Sequence, residues 1–179
     1  MNQVRKSIVW FCLALTVSLA LVGCGFGLKK PTEVPFKSIY GNFSDLTPFG
    51  KALRKTILAS GNVELITDPK RMDQAQIILE VLSEQRDKVI LGRTGAGTVN
   101  AYKLRLTISF RLRTQDGTEL IPETDISLFR DMSFNETIVL SKEAEEQLLY
   151  LNMQSDIAEQ IMRRVASTGK KWTSELTAQ

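Results

Sequence analysis

The chain switches between two periods of apolar and polar residues, and the switches mark its elements. The clearest stretch is the middle one. Tyr102, Leu104, Leu106, Ile108, Phe110 and Leu112 alternate with Lys103, Arg105, Thr107, Ser109, Arg111 and Arg113, the period of a half-buried strand. Asp116-Gly117 follows as a hairpin signal. Residues 120–134 supply the return strand, with Ile126 and Leu128 on one face and Pro122 marking an edge or a bend. Upstream, Ala75, Ile77, Leu79 and Val81 form the core-facing half of another strand, and Gly92, Gly95 and Gly97 fall in the connection that follows. Shorter strands are predicted over 34–40, with Phe36, Ser38 and Tyr40 on one face, and over 63–66. Asp68-Pro69 marks a turn between the last of these and the strand at 75.

Two stretches carry the helical period instead. Thr47 is a hydroxyl N-cap followed by Pro48 at the first helical position. Phe49, Ala52, Leu53, Thr56 and Ile57 then form one apolar stripe, Lys51, Arg54 and Lys55 face away, and Ser60-Gly61 ends the helix. A long helix is predicted over 141–167. Ser141 is its N-cap, acids follow in the first turns, and Arg163 and Arg164 stand in the last, as the macrodipole favours. Ala144, Leu148, Leu151, Ala158, Ile161 and Val165 keep its stripe, joined by Ile157 and Met162. Gly169 reads as its C-cap, and residues 170–179 as a flexible polar tail that includes Lys170-Lys171-Trp172. The expected fold class is therefore α+β. It is a two-layer sandwich, with two helices packed on one face of a mixed four- to five-stranded sheet, in a single domain over 35–169.

The N-terminus has a separate organisation. Arg5 and Lys6 precede an apolar run over 8–20, which is shorter than the roughly 20 residues a membrane span needs and has the flanks of a secretion signal. Leu21-Val22-Gly23-Cys24 resembles the lipobox of bacterial lipoproteins, in which the Cys is acylated and becomes the first residue of the mature chain. This implies a removed signal peptide over 1–23, lipid attachment at Cys24, and a lipidated tether over 24–34. Gly25 after the Cys resembles the default pattern for sorting to the outer membrane, which places the domain on the periplasmic side.

Composition then narrows the chemistry. Removing residues 1–23 leaves 21 basic and 20 acidic side chains, so the basic isoelectric point belongs partly to the signal and gives no argument for nucleic acid. The chain has no histidine, and its two cysteines are Cys12, in the signal, and Cys24. Catalysis by Ser-His-Asp or Cys-His is excluded, as are zinc sites built on Cys or His. The acids Glu143, Glu145 and Glu146 sit together in one helical turn as caps, not opposed across a cleft as glycoside hydrolysis requires. The chain reads as a non-enzyme with no cofactor.

Several stretches together resemble the LptE family of LPS-assembly lipoproteins. They are Gly25-Phe26-Gly27-Leu28-Lys29, Ala101-Tyr102-Lys103-Leu104, Arg130 with Ser133-Phe134-Asn135, Leu140-Ser141-Lys142-Glu143, and Tyr150, Met153, Asp156, Gln160, Ile161 and Arg164 in the long helix. The resemblance implies an outer-membrane lipoprotein that plugs the β-barrel LptD, helps that barrel assemble and assists insertion of lipopolysaccharide into the outer leaflet. The implied partners are an LptD-type barrel, lipopolysaccharide and, through the acyl chains, the outer membrane. A freestanding periplasmic binding lipoprotein or pilotin-like chaperone is the alternative, and it would need an apolar cavity.

Three groups of residues are candidates for the site. Lys142 stands near the start of the long helix, where its charge opposes the macrodipole. By resemblance it matches a basic position linked to lipopolysaccharide contact, and Arg93 lies near a second. Lys103, Arg105, Arg111 and Arg113 form a candidate basic sheet face. It either meets anionic groups through charge-assisted hydrogen bonds or serves as a solvated surface.

Overall fold

The computed structural model describes residues 34–61 and 63–177. The signal peptide, Cys24 and the tether through residue 33 lie outside the described residues. The elements are β1 (Ser38–Asn42), α1 (Pro48–Ala59), β2 (Glu64–Ile66), a 3-10 turn (Pro69–Gln74), β3 (Ile77–Arg93), β4 (Val99–Thr114), β5 (Glu119–Ser133), a short 3-10 turn (Glu136–Ile138) and α2 (Val139–Thr177).

The five strands make one sheet in the order β2-β1-β3-β4-β5. β1 is parallel to β2 and to β3, while β3, β4 and β5 form an antiparallel meander. The sheet is mixed and both helices cover one face of it, so the architecture is the α+β sandwich expected. Parallel β1 and β2 require the chain to return between them, which sends α1 back towards the start of β1. α2 ends at the same place, because Gly169 packs against Pro35 and Phe36. The two helices therefore run in the same direction, towards what we call the basal end. The β3–β4 turn is the distal end. At about 3.3 Å per residue, the 17 residues of β3 span roughly 55 Å.

The core lies between sheet and helices. Ile39, Ile77, Leu79, Leu104, Leu106, Ile108, Phe110 and Leu112 of the sheet meet Phe49, Leu53 and Ile57 of α1 and Met153, Ile157, Ala158, Ile161, Met162 and Val165 of α2. The even residues of β4 point into this layer throughout, as the alternation predicts. A second small cluster, Tyr40, Ile66, Ala75 and Ile78, lies on the open face. Phe36 and Tyr40 therefore do not share a face. The strand begins only at Ser38, and Phe36 turns into the main core before it.

Two other elements differ from the sequence reading. β3 continues through the charged run 83–93, where only its first part was expected. α2 runs on to Thr177, across the tail expected to be flexible and past the glycine read as a C-cap. A Cβ at position 169 would lie 2.5 Å from Pro35 Cγ and 2.6 Å from Phe36. The glycine is there for close packing inside a continuing helix, and one turn later the Trp172 ring sits 5.8 Å from that of Phe36.

Gly50 marks the other tight approach. Thr47 caps α1 by accepting from Gly50 N at 3.0 Å, and its own hydroxyl donates to the Ser44 carbonyl at 3.1 Å. That carbonyl is held where a Cβ on residue 50 would come within 1.9 Å of it. Helix propensity favours Ala over Gly by about 1 kcal/mol, yet Gly50→Ala is expected to destabilise the fold by roughly 1–3 kcal/mol through overpacking. The midpoint of a denaturant titration decides between the two signs.

Candidate functional site

The open face of the sheet is polar and its charges are matched. On β4 the face presents Lys103, Arg105, Thr107, Ser109, Arg111 and Arg113. The strand register sets an acid or hydroxyl beside each of them: Glu80 opposes Arg111, Asp87 opposes Arg105, Asp131 opposes Lys103, and Ser127 opposes Thr107. Arg111 reaches Glu80 at 2.7 Å and Glu119 at 3.8 Å, and Arg113 shares Glu80 at 3.3 Å. Arg105 pairs with Asp87 at 2.9 Å, and Lys103 with Asp131 at 3.9 Å. Thr107 and Ser127 exchange a hydrogen bond at 2.8 Å, and Ser109 donates to Glu123 at 3.3 Å. Each of the four candidate cations thus faces a carboxylate supplied by a neighbouring strand.

Glu80 is the most enclosed member, 8% exposed. Burial pushes its carboxyl up, but hydrogen bonds and charge from Arg113 and Arg111 outweigh this and hold it below the usual carboxylate range.

β3 turns a second polar row towards α2. Lys88 Nζ lies 4.4 Å from the Tyr102 ring centre and 2.5 Å from Glu146. Arg86 stacks over Tyr150 at 5.2 Å, and the Tyr150 hydroxyl donates to the Asp87 carbonyl at 2.9 Å. Burial, with Glu146 and Asp87, pushes the Tyr150 phenol up against the opposing pull of Arg86. Gln154 donates to Glu84 at 2.7 Å. None of these contacts is visible in the sequence, where the readable alternation of this strand ends near Val81.

Arg93 and Lys142 both lie at the distal end. Arg93 closes β3 opposite Val99, and its Nη1 donates to the Gly97 carbonyl at 2.9 Å, bracing the turn from inside. Its side chain is exposed, and among the described residues no carboxylate pairs with it. Lys142 is different. Its ammonium donates to Ser133 Oγ at 3.0 Å and pairs with Glu145 at 2.7 Å, leaving the side chain 13% exposed. It pins the first turn of α2 to the end of β5, and Glu145 offsets its charge against the helix dipole. Two strand spacings, about 10 Å, separate the β3 and β5 backbones here.

Exposed aliphatic residues share this end. Val89, Ile90 and Leu91 stand near the end of β3, Ile138 ends the short 3-10 turn, and Val139 and Leu140 open α2, with Leu140 83% exposed. Tyr102 and Phe134 meet edge to face between them at 5.1 Å. The end therefore combines cations with unsatisfied apolar surface. Cys24 lies outside the described residues. Among those described, no helix is long and apolar enough to cross a membrane, and no cluster of three or more His, Cys, Asp or Glu side chains is placed to hold a metal ion.

Comparison with known proteins adds five findings. The family LptE, described as lipopolysaccharide-assembly, matches residues 36–165. A relative from Yersinia enterocolitica called LPS-assembly lipoprotein LptE is 31% identical over 169 residues, covering 90% of this chain and 76% of the relative. A protein of the same name from Yersinia pestis is 27% identical over 164 residues, with the same coverage of each chain. Among solved structures, an uncharacterized lipoprotein B from Nitrosomonas europaea superposes with a TM-score of 0.66 at 28% identity, covering 82% of this chain and 96% of that one. The rare lipoprotein B from Shewanella oneidensis shares the fold, with a TM-score of 0.64 at 19% identity over 76% of this chain and 98% of that one.

The open face yields a pH test. A carboxyl held low in the fold adds stability above its unfolded pKa, about 4.3 for Glu, and that stability is lost as pH falls through the folded value. Glu80→Gln is expected to cost about 1–2 kcal/mol at neutral pH and to flatten the decline of stability below pH ~4.3. Urea midpoints measured at several pH values would show it, and parallel curves for the two proteins would remove Glu80 from the ladder.

Proposed function

The chain belongs to the LptE lipopolysaccharide-assembly family, and from that premise we propose that it plugs an LptD-type β-barrel, helps it assemble and assists lipopolysaccharide insertion into the outer leaflet. The role is that of a lipoprotein in lipopolysaccharide transport and outer-membrane assembly. In this reading Cys24 carries the acyl chains, the outer membrane holds them, and the domain works by fitting and binding, without bond chemistry of its own.

The observation that carries the plug reading is the matched polar ladder of the open face. The lumen of a transmembrane barrel is polar. A domain lodged there must offer hydrogen-bonding surface without stranding charge in a confined space, since an unpaired charge removed from water costs several kcal/mol. Cations paired on the domain itself satisfy that requirement before any partner arrives. The helices cover the opposite face, so one molecule holds both a filled core and a lumen-compatible surface. The freestanding binding lipoprotein would want an enclosed apolar cavity. One depression among the described residues, about 870 Å³, is open to the outside and lined mostly by Gln, Thr and Asp side chains.

Lipopolysaccharide contact is assigned to the distal end. Its phosphates call for cations and its acyl chains for apolar surface, and Arg93 and Lys142 stand there among Val89, Ile90, Leu91 and Leu140. Arg93 has guanidinium donors to spare, whereas Lys142 must give up its pairing with Glu145 to engage a phosphate.

Two outcomes test the proposal. Affinity purification of the lipidated chain from detergent-solubilised outer membrane should bring down a large β-barrel, and recovery without any barrel would favour the freestanding reading. Arg93→Ala should weaken lipopolysaccharide binding by about tenfold, the worth of a hydrogen bond to a charged group. Lys142→Ala should weaken it less, because part of its charge is already engaged. Binding equal to that of the parent protein in both variants would move the contact elsewhere.

A further inference from the structure

The helix layer is polarised in charge along its length. Its distal half carries Glu143, Glu145 and Glu146. Its basal half carries cations on the outward faces of both helices: Lys51 and Lys55 on α1, and Arg164, Lys170 and Lys171 on α2, all exposed. Among acids whose side chains are described, Asp45 and Glu159 lie nearby, and they pair with Arg54 and Arg163; Glu175 follows Lys171 by four residues in the sequence. Among the described residues no carboxylate pairs with any of the five. This is the reverse of the open sheet face, where each candidate cation has its acid. A shallow depression of about 320 Å³ between Gln160, Arg163, Arg164 and Ser167 adds a site with two guanidinium groups, open to the outside and roomy enough for a phosphate.

The place where the chain enters the fold says what this face meets. Pro35 and Phe36 pack on Gly169, and Trp172 packs on Phe36. The chain thus enters beside Lys170 and Lys171. Cys24 is ten residues before Val34, and ten residues fully extended span at most about 36 Å. If the acyl chains are in a leaflet, this basic face is never far from its headgroups. Trp172 stands half-buried at the same end, a residue type enriched at membrane–water interfaces.

We infer that the outward basal face of the two helices docks on an anionic phospholipid surface, so that the chain is held by two signals, acyl chains and a basic patch. The inference takes lipid attachment at Cys24 from the function proposed above. It concerns the half of the domain away from the ligand-binding end, so it stands or falls apart from barrel plugging. Two or more acyl chains already hold a protein stably, and a basic patch adds to them the attraction of anionic headgroups. The second signal fixes orientation as well as attachment, because only one face of the helix layer is basic.

The test uses the lipidated full chain, its acylation first verified by intact mass. It is inserted into vesicles of phosphatidylcholine alone, or with about 30% phosphatidylglycerol, a content that sets up a negative surface potential. Lysines are modified with an amine-reactive ester and quantified by mass spectrometry. On the anionic vesicles Lys51, Lys55, Lys170 and Lys171 should react about fivefold more slowly, the effect of bringing a cation to such a surface. Lys103 should react equally on both. The difference should vanish at about 0.5 M salt, where screening is a few ångströms long. Lys170→Glu with Lys171→Glu should abolish it at Lys51 and Lys55 while circular dichroism stays that of the parent. Equal rates on the two vesicles, or slowing that includes Lys103 or survives salt, would overturn the inference. An unacylated mature chain would instead count against the attachment at Cys24.

Discussion

A one-residue slip in β3 governs the chemistry of both faces of this sheet. Up to Val81 the odd residues of β3 point towards the helices: Ile77, Leu79 and Val81 oppose Thr114, Leu112 and Phe110. The register then shifts between Val81 and Ser83, leaving Leu82 as the extra residue. Beyond it the even residues point to the helices, with Glu84, Arg86 and Lys88 opposing Ile108, Leu106 and Leu104. Glu80 and Asp87 differ in parity, yet both reach the open face. Without the bulge Asp87 would turn towards the helices, and Arg105 would face Lys88 or Arg86 in its place. A single inserted residue thus separates a neutral ladder from a stack of like charges, which cross-strand geometry penalises.

The same slip explains how a charged segment remains in a strand beneath a helix. Arg86 and Lys88 arrive under α2 where two aromatic rings, Tyr150 and Tyr102, receive them. Glu146 and Gln154, one on each side of Tyr150 along α2, complete the contacts. The aliphatic stems of such side chains cover apolar surface while their heads stay paired or wet. The distal half of the sandwich is therefore held by polar and cation–aromatic contacts, and the basal half by a dry core. That division leaves the distal end with exposed aliphatic residues beside its charged ones.

Much of this was legible in the sequence, and the reasons for the rest are local. β4 could be read residue by residue because it is central, keeps an unbroken alternation from Tyr102 to Thr114 and is buried on one side only. The β4–β5 hairpin, α1 with its Thr47 cap, and the α+β architecture followed from the same periodicities. The distal half of β3 escaped because the bulge breaks the alternation in the middle and Ser83–Lys88 then resembles a solvated loop. The end of α2 escaped because glycine has two uses that look alike in one dimension, a left-handed cap or a gap for a neighbour, and only the packing of Phe36 distinguishes them. For the candidate site, the residues were legible and their partners were not. Lys103, Arg105, Arg111 and Arg113 could be placed on one face from β4 alone, but their charge state as a surface depends on the strands beside them.

Counting cations therefore says little about where this molecule can meet anions, and pairing says more. From residue 24 onward the chain carries a nearly even balance of basic and acidic residues, so any local excess must come from uneven pairing. On the sheet the pairing is set by register, which the backbone fixes, and an incoming phosphate would have to displace Glu80 or Asp87 at the cost of an orphaned charge. On the helices pairing is set by spacing along one element. There α1 has no acid of its own, and the last turns of α2 offer few to their lysines. Cations so placed keep their full charge available at a surface without disturbing the fold. The sheet's basic residues are thus suited to fitting against a polar wall, while Arg93 at one end and the helix lysines at the other are the groups free to recruit negative charge. A domain of this construction can lodge one end in a partner and rest the other on a lipid surface, because the two tasks draw on different side chains.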